Sequence, residues 1–349
     1  MKLLFVTSPE PNGSSAAAVS RYVAVGRRLG HDVAVHGAPP ARDAASFDHV
    51  VFVVQTAADL PEPPRLMQLL NCVPRERRVV LDLWGRCNDT IRLEHDFNHL
   101  ERVDRRLGWE WSQEFRRISD RVLQPTLTPL RADVQSFLFF GFDPAAVAPP
   151  GAAARRYGAV YVGNNWMRWP QLRSFLERLE PVLPRLGRVC LAGWGWDERP
   201  AWAIQNGIAG IDVDPRLLAR LQVETCGPVP FGEVVGLLSA GRVSPVLHRP
   251  LFRRLGLVTN RTFETFCADT VPLLLLPPDF VEAVYGPAAL ALAPGEDLAA
   301  FVQGMLDRPE PCREALRATR DYLARHHSYE QRFQELAAIL AEQRGWGPP

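Results

Sequence analysis

Short apolar segments alternate with helical segments twice along this chain of 349 residues, and this alternation constrains the fold more than any other feature. In the first half, "KLLFVTS", "HDVAVHG", "HVVFVVQ", "RRVVLDLWG" and "RVLQPTL" are typical of strands, with amphipathic helical patterns between most of them. Strands that are buried on both faces by crossover helices have continuous apolar runs of this kind. The sequence therefore predicts an α/β fold with a doubly wound parallel sheet.

The second half repeats the same alternation. Strands are predicted in "YGAVYVGN", "RVCLAGWGW", "VETCGPVP", "VSPVLHRP" and "VPLLLL", and a last short strand in "ALALAP" at 289–294. The segment 136–156, rich in Pro, Gly and Ala, is predicted to be an interdomain linker. We therefore predict two Rossmann-like domains, at 1–150 and 151–327, with a C-terminal helix at 328–345 that packs back on the first.

Composition limits the partners of such a chain. With 47% hydrophobic residues it can bury full cores, while a net charge of +1 with 23% charged residues provides no field to attract nucleic acid or an anionic membrane. The first apolar run is too short for a signal peptide or a membrane span. The six cysteines show no metal-binding spacing. We expect a soluble cytoplasmic protein without a nucleic-acid partner, an integral membrane association or a bound metal.

Glycines, amides and cationic side chains follow the predicted strands of the second half. Ligands of open parallel sheets bind beyond the carboxyl ends of the strands, where helix N-termini and backbone N–H groups favour phosphate. An anionic ligand is indicated by the residues at these ends, which are Gly163, Asn164, Asn165, Arg168, Gly193, Gly227, Val229, His248, Arg249, Arg261, Thr262, Phe263 and Glu264.

The sequence at this point resembles the glycosyltransferases of the GT-B fold. It is most similar to family 4 (group 1) and to its CgeB-like, or spore-maturation-type, branch. The resemblance covers mainly 157–340 and is carried by "YVGNNWMRW", "VETCGPVPFGEVVGLLSAGRVSPVLHRP", "NRTFETFCADTVPLLL" and "ARHHSYEQRFQEL". It implies two domains facing a cleft, with the donor nucleotide sugar on the C-terminal domain and the acceptor on the N-terminal one.

The resemblance also implies roles for individual residues. Glu264 of the "R-x-F-E" segment would accept hydrogen bonds from the ribose hydroxyls, a role that suits an ionised carboxylate. Arg261 would contact a phosphate, and Gly227 and Val229 of "CGPVP" would touch the nucleobase through the backbone. Asn164, Asn165 and Arg168 would lie near the diphosphate.

Two positions depart from the family pattern. Many family 4 enzymes carry a second Glu eight residues before the ribose Glu, where this chain has Gly256, so the donor sugar and the stereochemical outcome are open. The usual Lys of the diphosphate clamp has no match, since Lys2 is the only lysine, and Arg must replace it. Retention is the outcome that the resemblance favours. We predict no metal requirement, with helix N-termini and cations stabilising the departing diphosphate.

Several residues allow two interpretations. Arg261 and Glu264 are either ligand contacts or a solvent-exposed i,i+3 ion pair. Asp82 is either a catalytic general base or a turn former at the end of a strand. Gly13 and Ser14 either face the donor phosphates or belong to a loop that caps the first helix.

Other polar and aromatic residues are less informative. His95 and His99 have an i,i+4 spacing compatible with a metal, but no third ligand is apparent, and we interpret them as helix-surface residues. His248 and Arg249 are equally compatible with a surface loop. The tryptophans 166, 169, 194 and 196 are compatible with cleft walls and with core packing.

We therefore predict a glycosyltransferase that moves a sugar from a nucleotide-diphosphate donor to a small-molecule or carbohydrate acceptor, without a cofactor. Two alternatives remain, a nucleotide-sugar epimerase of the same fold and a non-catalytic nucleotide-binding protein. The sequence leaves the monomer and the homodimer both open.

Overall fold

A computed structural model of the chain describes residues 1–8, 14–88, 111–151, 153–199, 201, 204 and 210–342. The chain divides into two compact units. The first unit contains Met1–Gly141, Arg254–Asn260 and His327–Pro349, and the second unit contains Phe142–Arg253 and Arg261–His326.

The first unit is built on a six-stranded parallel sheet with the order β2-β1-β3-β4-β5-β6. Its strands are β1 (Lys2–Val6), β2 (Asp32–His36), β3 (His49–Val54), β4 (Arg78–Asp82), β5 (Val122–Gln124) and β6 (Val134–Ser136). The helices that connect them include α1 (Ser14–Arg28), α2 (Ala41–Ala44), α3 (Pro63–Cys72) and α4 (Trp111–Ile118). The apolar runs of β1, β3 and β4 are buried, as expected for strands covered on both faces.

An aromatic cluster joins α1 of the first unit to residues from later in the chain. The ring of Tyr22 stacks on Phe139 at a centroid distance of 5.0 Å and meets the edge of Tyr329 at 5.7 Å. The Tyr22 hydroxyl donates to the carbonyl of Phe139 at 2.7 Å. Tyr329 begins the C-terminal helix, which therefore packs on α1.

The second unit has a five-stranded parallel sheet with the order β11-β10-β7-β8-β9. Its strands are β7 (Tyr157–Val162), β8 (Val189–Ala192), β9 (Glu224–Cys226), β10 (Gly241–Val246) and β11 (Val271–Leu274). The remaining helices are α5 (Trp169–Leu179), α6 (Leu183–Leu186), α7 (Pro215–Arg220), α8 (Val234–Ser239), α9 (Pro250–Leu255), α10 (Asn260–Cys267), α11 (Pro278–Tyr285), α12 (Leu298–Asp307), α13 (Glu310–His326) and α14 (Tyr329–Ala341). The predicted fold class, two Rossmann-like α/β domains, is confirmed.

Two details differ from the sequence-based expectations. The strand predicted at 289–294 is wrong, because Pro287–Leu292 forms a 3₁₀ helix that buries Ala289 and Leu292, three residues apart. The start of the predicted linker is core, since Phe137, Phe139 and Phe140 are almost fully buried. The first junction between the units lies at 141/142, and the predicted boundary was at 150.

Among the described residues, no helix combines the length and the hydropathy that crossing a bilayer would need.

Candidate functional site

The sheet of the second unit brings most of the predicted ligand residues to one edge. All five strands are parallel, so their carboxyl ends lie together, and the residues after them include Gly163, Gly193, Gly227 and His248. The order β11-β10-β7-β8-β9 reverses direction between β7 and β10, which makes this pair the topological switch point. Ligands of open α/β sheets bind beyond the strand ends at such a point.

The loops after β7 and β8 approach each other through their glycines. Gly193 has a φ of +137°, and a Cβ at this position would lie 2.4 Å from the carbonyl oxygen of Gly163. The Gly193 N–H donates to the carbonyl of Cys226 at the end of β9 at 3.0 Å. A side chain at 193 would therefore push apart the ends of three neighbouring strands.

The two asparagines after β7 hold these loops together. The Nδ2 of Asn165 donates to the carbonyls of Gly195 and Ile211, both at 2.9 Å, and its side chain is 4% exposed. The Oδ1 of Asn164 accepts from the backbone N–H of Trp194 at 3.0 Å. The Nδ2 of Asn165 is thus engaged by two carbonyls and holds the loops, and the predicted place of this residue near the diphosphate stays a prediction.

Positive charge gathers at the switch point. Burial, together with the charges of Arg168 and Arg253, lowers the pKa of His248 to about 3, so the imidazole is neutral beside two cations. The Nε2 of His248 and the Nε of Arg168 are buried without a hydrogen-bond partner among the described residues. Buried polar atoms of this kind are uncommon and favour a polar ligand or water at the position.

Arg249, the residue after His248, adds a buried guanidinium shortly after the end of β10. Its side chain is 2% exposed and lies over the ring of Phe252, 3.8 Å from the centroid. The interpretation of Arg249 and His248 as a surface loop is therefore wrong, since both side chains are buried. The positive charges of Arg168, Arg249 and Arg253 can attract a ligand phosphate even without direct contact. Coulombic attraction is screened little where water is excluded.

Because the His248 pKa is depressed, we expect acid to destabilise the second unit. The unfolded histidine, with a pKa near 6.5, binds protons that the native one does not, so stability is retained above pH 6.5 and is lost as pH falls toward 3, by at most about 1.4 kcal/mol per pH unit. Urea denaturation of wild type and His248→Gln at pH 7.5, 6 and 5 measures this loss. The difference between the two proteins should shrink or reverse at pH 5; a constant difference would contradict a buried neutral imidazole.

The first turn of α10 places Arg261 and Glu264 on one side of the helix. The helix leads directly into β11, so its N-terminal end lies at the same sheet edge as the strand-end residues. Arg261 Nη1 and Glu264 Oε2 are 3.0 Å apart, and their side chains are 27% and 14% exposed. The pair is therefore partly buried and differs from a solvated surface pair.

The opposite side of α10 belongs to the core. Thr262 and Phe263 are each 1% exposed. Thr262 hydrogen-bonds the Tyr285 hydroxyl of α11, and burial raises the Tyr285 pKa well above its usual range. Both residues are predicted as nucleotide contacts, but the helix period turns their side chains inward, where they anchor α10.

The predicted nucleobase turn after β9 is open. A Cβ added at Gly227 would have no heavy atom within 4 Å, and the residue is exposed. The side chain of Val229 packs against the core cluster formed by β7, β8 and α8. The backbone of this turn is thus the part that a base can reach, and its contact with a base stays a prediction.

In the first unit, Asp82 is completely buried at the end of β4. Its carboxylate accepts from the backbone N–H groups of Arg86 at 2.9 Å and Cys87 at 2.7 Å, and from Gln124 Nε2 at 2.8 Å. Burial raises its pKa in spite of these donors. A carboxylate with no exposed surface cannot reach an acceptor, so the structure favours the turn-forming interpretation over the general base.

The other predicted residues of the first unit are only partly described. Ser14 begins α1, and its Oγ accepts from Gln55 Nε2 at 3.0 Å, which ties the helix to the end of β3. Gly13, His95 and His99 lie outside the described residues. No group of three His, Cys, Asp or Glu in the described part of the chain is arranged to hold a metal ion.

Sequence reasoning missed Arg253 and left the role of Trp194 open. Arg253 lies one helical turn after Arg249, and this i,i+4 spacing was a usable signal for a cationic cluster. Trp194 is 60% exposed in the loop after β8, and only the structure separates it from the buried Trp196.

Comparisons with known proteins agree with this architecture. Residues 168–338 match the family model described as glycosyl transferase-like. No curated protein matches the sequence. Solved structures match the fold over nearly the whole chain at low identity, which supports the fold but no shared ligand.

Two of these structures are of phage T4 β-glucosyltransferase with its UDP-glucose substrate and of an α-glucosyltransferase with UDP and a 13-mer DNA containing a HMU base. The first has a TM-score of 0.58 at 13% identity and covers 98% of this chain and 100% of that chain. The second has a TM-score of 0.66 at 10% identity and covers 97% of this chain and 98% of that chain. The predicted GT-B fold and the predicted enzyme class, a glycosyltransferase, are confirmed.

Proposed function

We propose that this glycosyltransferase moves a sugar from a nucleoside-diphosphate donor, with uracil as its base, to a small-molecule or carbohydrate acceptor. The observation that carries the proposal is the Arg261–Glu264 pair, partly buried in the first turn of α10 at the sheet edge that also carries Arg168 and His248. One carboxylate and several cations at a topological switch point suit a ligand with both a diol and a diphosphate.

Each group has a distinct chemical role in this proposal. The Glu264 carboxylate accepts from the two ribose hydroxyls, and such charge-assisted bonds are about twice as strong as neutral ones. Arg261 is held beside it by the ion pair and donates to a phosphate oxygen. Arg168 and Arg249 supply the positive charge that the lysine of the family 4 diphosphate clamp would supply, and they stabilise the departing diphosphate.

The position of Gly256 supports a changed contact to the donor sugar. Its φ is +58°, and a Cβ there would lie 3.4 Å from Thr126 Oγ1. Thr126 Oγ1 also donates to the carbonyl of Leu255 at 2.7 Å. A glutamate at 256 would be strained in this conformation, so another group must contact the sugar, and a retaining outcome rests on the resemblance alone.

The nucleobase of the donor and the identity of the acceptor are the parts of the proposal for which the similar structures give the least support. UDP occurs in the structures of the similar glucosyltransferases, which is our reason for proposing uridine. One of those proteins was solved with DNA, whereas this chain has a net charge of only +1 and no field that would hold a duplex. A small acceptor fits this charge better, and DNA belongs in the acceptor screen as the competing outcome.

Calorimetric titration of UDP, GDP, TDP and CDP into wild type, Glu264→Ala and Glu314→Ala tests the donor site. We expect UDP to bind, and Glu264→Ala to weaken it at least tenfold, or about 1.4 kcal/mol. Glu314 is exposed on α13 and serves as the matched control, with unchanged affinity. The substitution removes a negative charge from the site, and by charge alone this would tighten the binding of a diphosphate. A weaker affinity of Glu264→Ala therefore indicates the loss of the ribose contact.

The same proteins decide between the functional alternatives. Transfer to an acceptor in the presence of chelator would support the proposed metal-independent reaction, whereas strict dependence on a divalent ion would refute that part. Conversion of the donor without an acceptor would indicate the epimerase. Binding with no turnover in any screen would indicate the non-catalytic protein, and no nucleotide binding at all would refute the donor site.

The spore-maturation branch, the cytoplasmic location and a homodimer stay predictions.

A further inference from the structure

Trp194 differs from Trp196, the other described tryptophan of its loop, by its exposure. Its side chain is 60% exposed, while that of Trp196, two residues later, is completely buried. The Nε1 of Trp196 donates to the carbonyl of Gly163 at 2.8 Å, and its ring meets Tyr161 edge-on at 5.8 Å. Trp196 thus anchors the loop, whereas Trp194 presents an indole ring to the surroundings.

The backbone that carries Trp194 is fixed on both sides. Its N–H donates to Asn164 Oδ1 at 3.0 Å, and its carbonyl accepts from the Asn165 N–H at 2.8 Å. The N–H of Gly193, the residue before it, donates to the carbonyl of Cys226. The carbonyl of Gly195, the residue after it, accepts from Asn165 Nδ2 at 2.9 Å. An exposed aromatic ring on a backbone held by this many hydrogen bonds loses little conformational freedom when it binds a ligand.

The place of the ring in the sheet indicates which part of a ligand it meets. β8 lies between β7, whose end carries Arg168, and β9, whose end leads into the open turn at Gly227. The hydrogen bonds of the loop go to both neighbours, Asn164 after β7 and Cys226 at the end of β9. The loop that carries the ring therefore lies between the strand end that leads to Arg168 and a turn with room for a planar group.

We propose that Trp194 stacks on the nucleobase of the donor nucleotide and so contributes to its affinity. The inference rests on the proposed donor site of the second unit. Stacking between a base and an aromatic side chain contributes about 1–3 kcal/mol by alanine substitution, which corresponds to roughly 5- to 150-fold in the dissociation constant. Because every base has a flat face, Trp194 strengthens binding of all nucleotides, and the choice of base falls to the turn after β9.

Calorimetric binding of UDP to wild type, Trp194→Ala and Trp194→Phe tests this role, with the melting temperature of each variant measured in parallel. We expect Trp194→Ala to weaken UDP binding about tenfold with an unchanged melting temperature, because its side chain is largely exposed. Trp194→Phe keeps an aromatic face and should recover most of the affinity. UDP should also quench tryptophan fluorescence in wild type, and much less in Trp194→Phe.

The matched control is Leu290→Ala, which removes another exposed apolar side chain of the second unit and should leave UDP binding unchanged. Equal UDP affinity of wild type and Trp194→Ala would overturn the stacking role. A variant with a lowered melting temperature, or equal loss in Trp194→Ala and Trp194→Phe, would show that the ring only supports the loop, which also overturns it. Failure of wild type to bind any nucleotide would instead refute the proposed donor site.

Discussion

Gly193→Ala is expected to destabilise the second unit by about 4 kcal/mol and to abolish measurable nucleotide binding. A non-glycine residue at φ +137° costs about 1–3 kcal/mol, and forcing a Cβ to 2.4 Å from the Gly163 carbonyl oxygen adds an overpacking cost of about 1–3 kcal/mol. The obstructing atom belongs to the backbone of β7's loop, so it cannot be relieved by a change of rotamer. The loops that carry Trp194 and Arg168 must then separate.

Urea denaturation of Gly193→Ala, Gly236→Ala and wild type measures this effect. Gly236 lies within α8 with no heavy atom within 4 Å of an added Cβ, so alanine there should stabilise the helix by about 0.5–1 kcal/mol. The two variants make the same chemical change with opposite expected signs. A Gly193→Ala variant with the same urea midpoint as wild type and with normal UDP binding would contradict the close approach of the loops after β7 and β8.

The elements of regular structure were largely predictable from the sequence because each depends on a local pattern. β7 and β10 are apolar runs followed by polar residues, and the parallel arrangement follows from the helices between strands. The error at 289–294 arose because alternating Leu and Ala satisfy a strand period and also a three-residue period. Gly286, with φ +81°, and Pro287 then start the 3₁₀ helix.

The location of the candidate site was predictable, but the direction of its side chains was only partly so. Parallel strand ends meet at one edge, so the set of loops followed from the order of elements. Within "NRTFE", however, one face of α10 must be buried, and Thr262 and Phe263 occupy it while Arg261 and Glu264 do not. The helix period predicts which of these side chains are buried, whereas the resemblance assigns all residues of the motif to the ligand.

Asn165 illustrates what a sequence cannot provide. Its amide joins Gly195 and Ile211, which lie 30 and 46 residues further along the chain. No local pattern predicts which backbone carbonyls will converge on one buried side chain. The same holds for the depressed pKa of His248, which depends on Arg168 from a different loop as well as on burial.

We expect Asp82→Ala to destabilise the first unit by about 3 kcal/mol. The substitution leaves the N–H groups of Arg86 and Cys87 and the amide of Gln124 buried without their acceptor. Each such donor costs about 1–3 kcal/mol, and removal of a carboxylate whose burial raises its pKa offsets part of the sum. Urea denaturation measures the loss, with Asp43→Ala, an exposed aspartate of α2, expected within about 0.5 kcal/mol of wild type.

Asp82→Asn separates the turn from the general base. The amide keeps the shape and one acceptor oxygen, so this variant should lie between wild type and Asp82→Ala in stability. A turn former has no part in proton transfer, so Asp82→Asn should keep most of its transfer rate at a temperature where it remains folded. A loss of a hundredfold or more at unchanged stability would instead assign the base to Asp82. The carboxylate would then have to leave its three donors during the reaction, which requires an opening of the β4 end that its complete burial opposes.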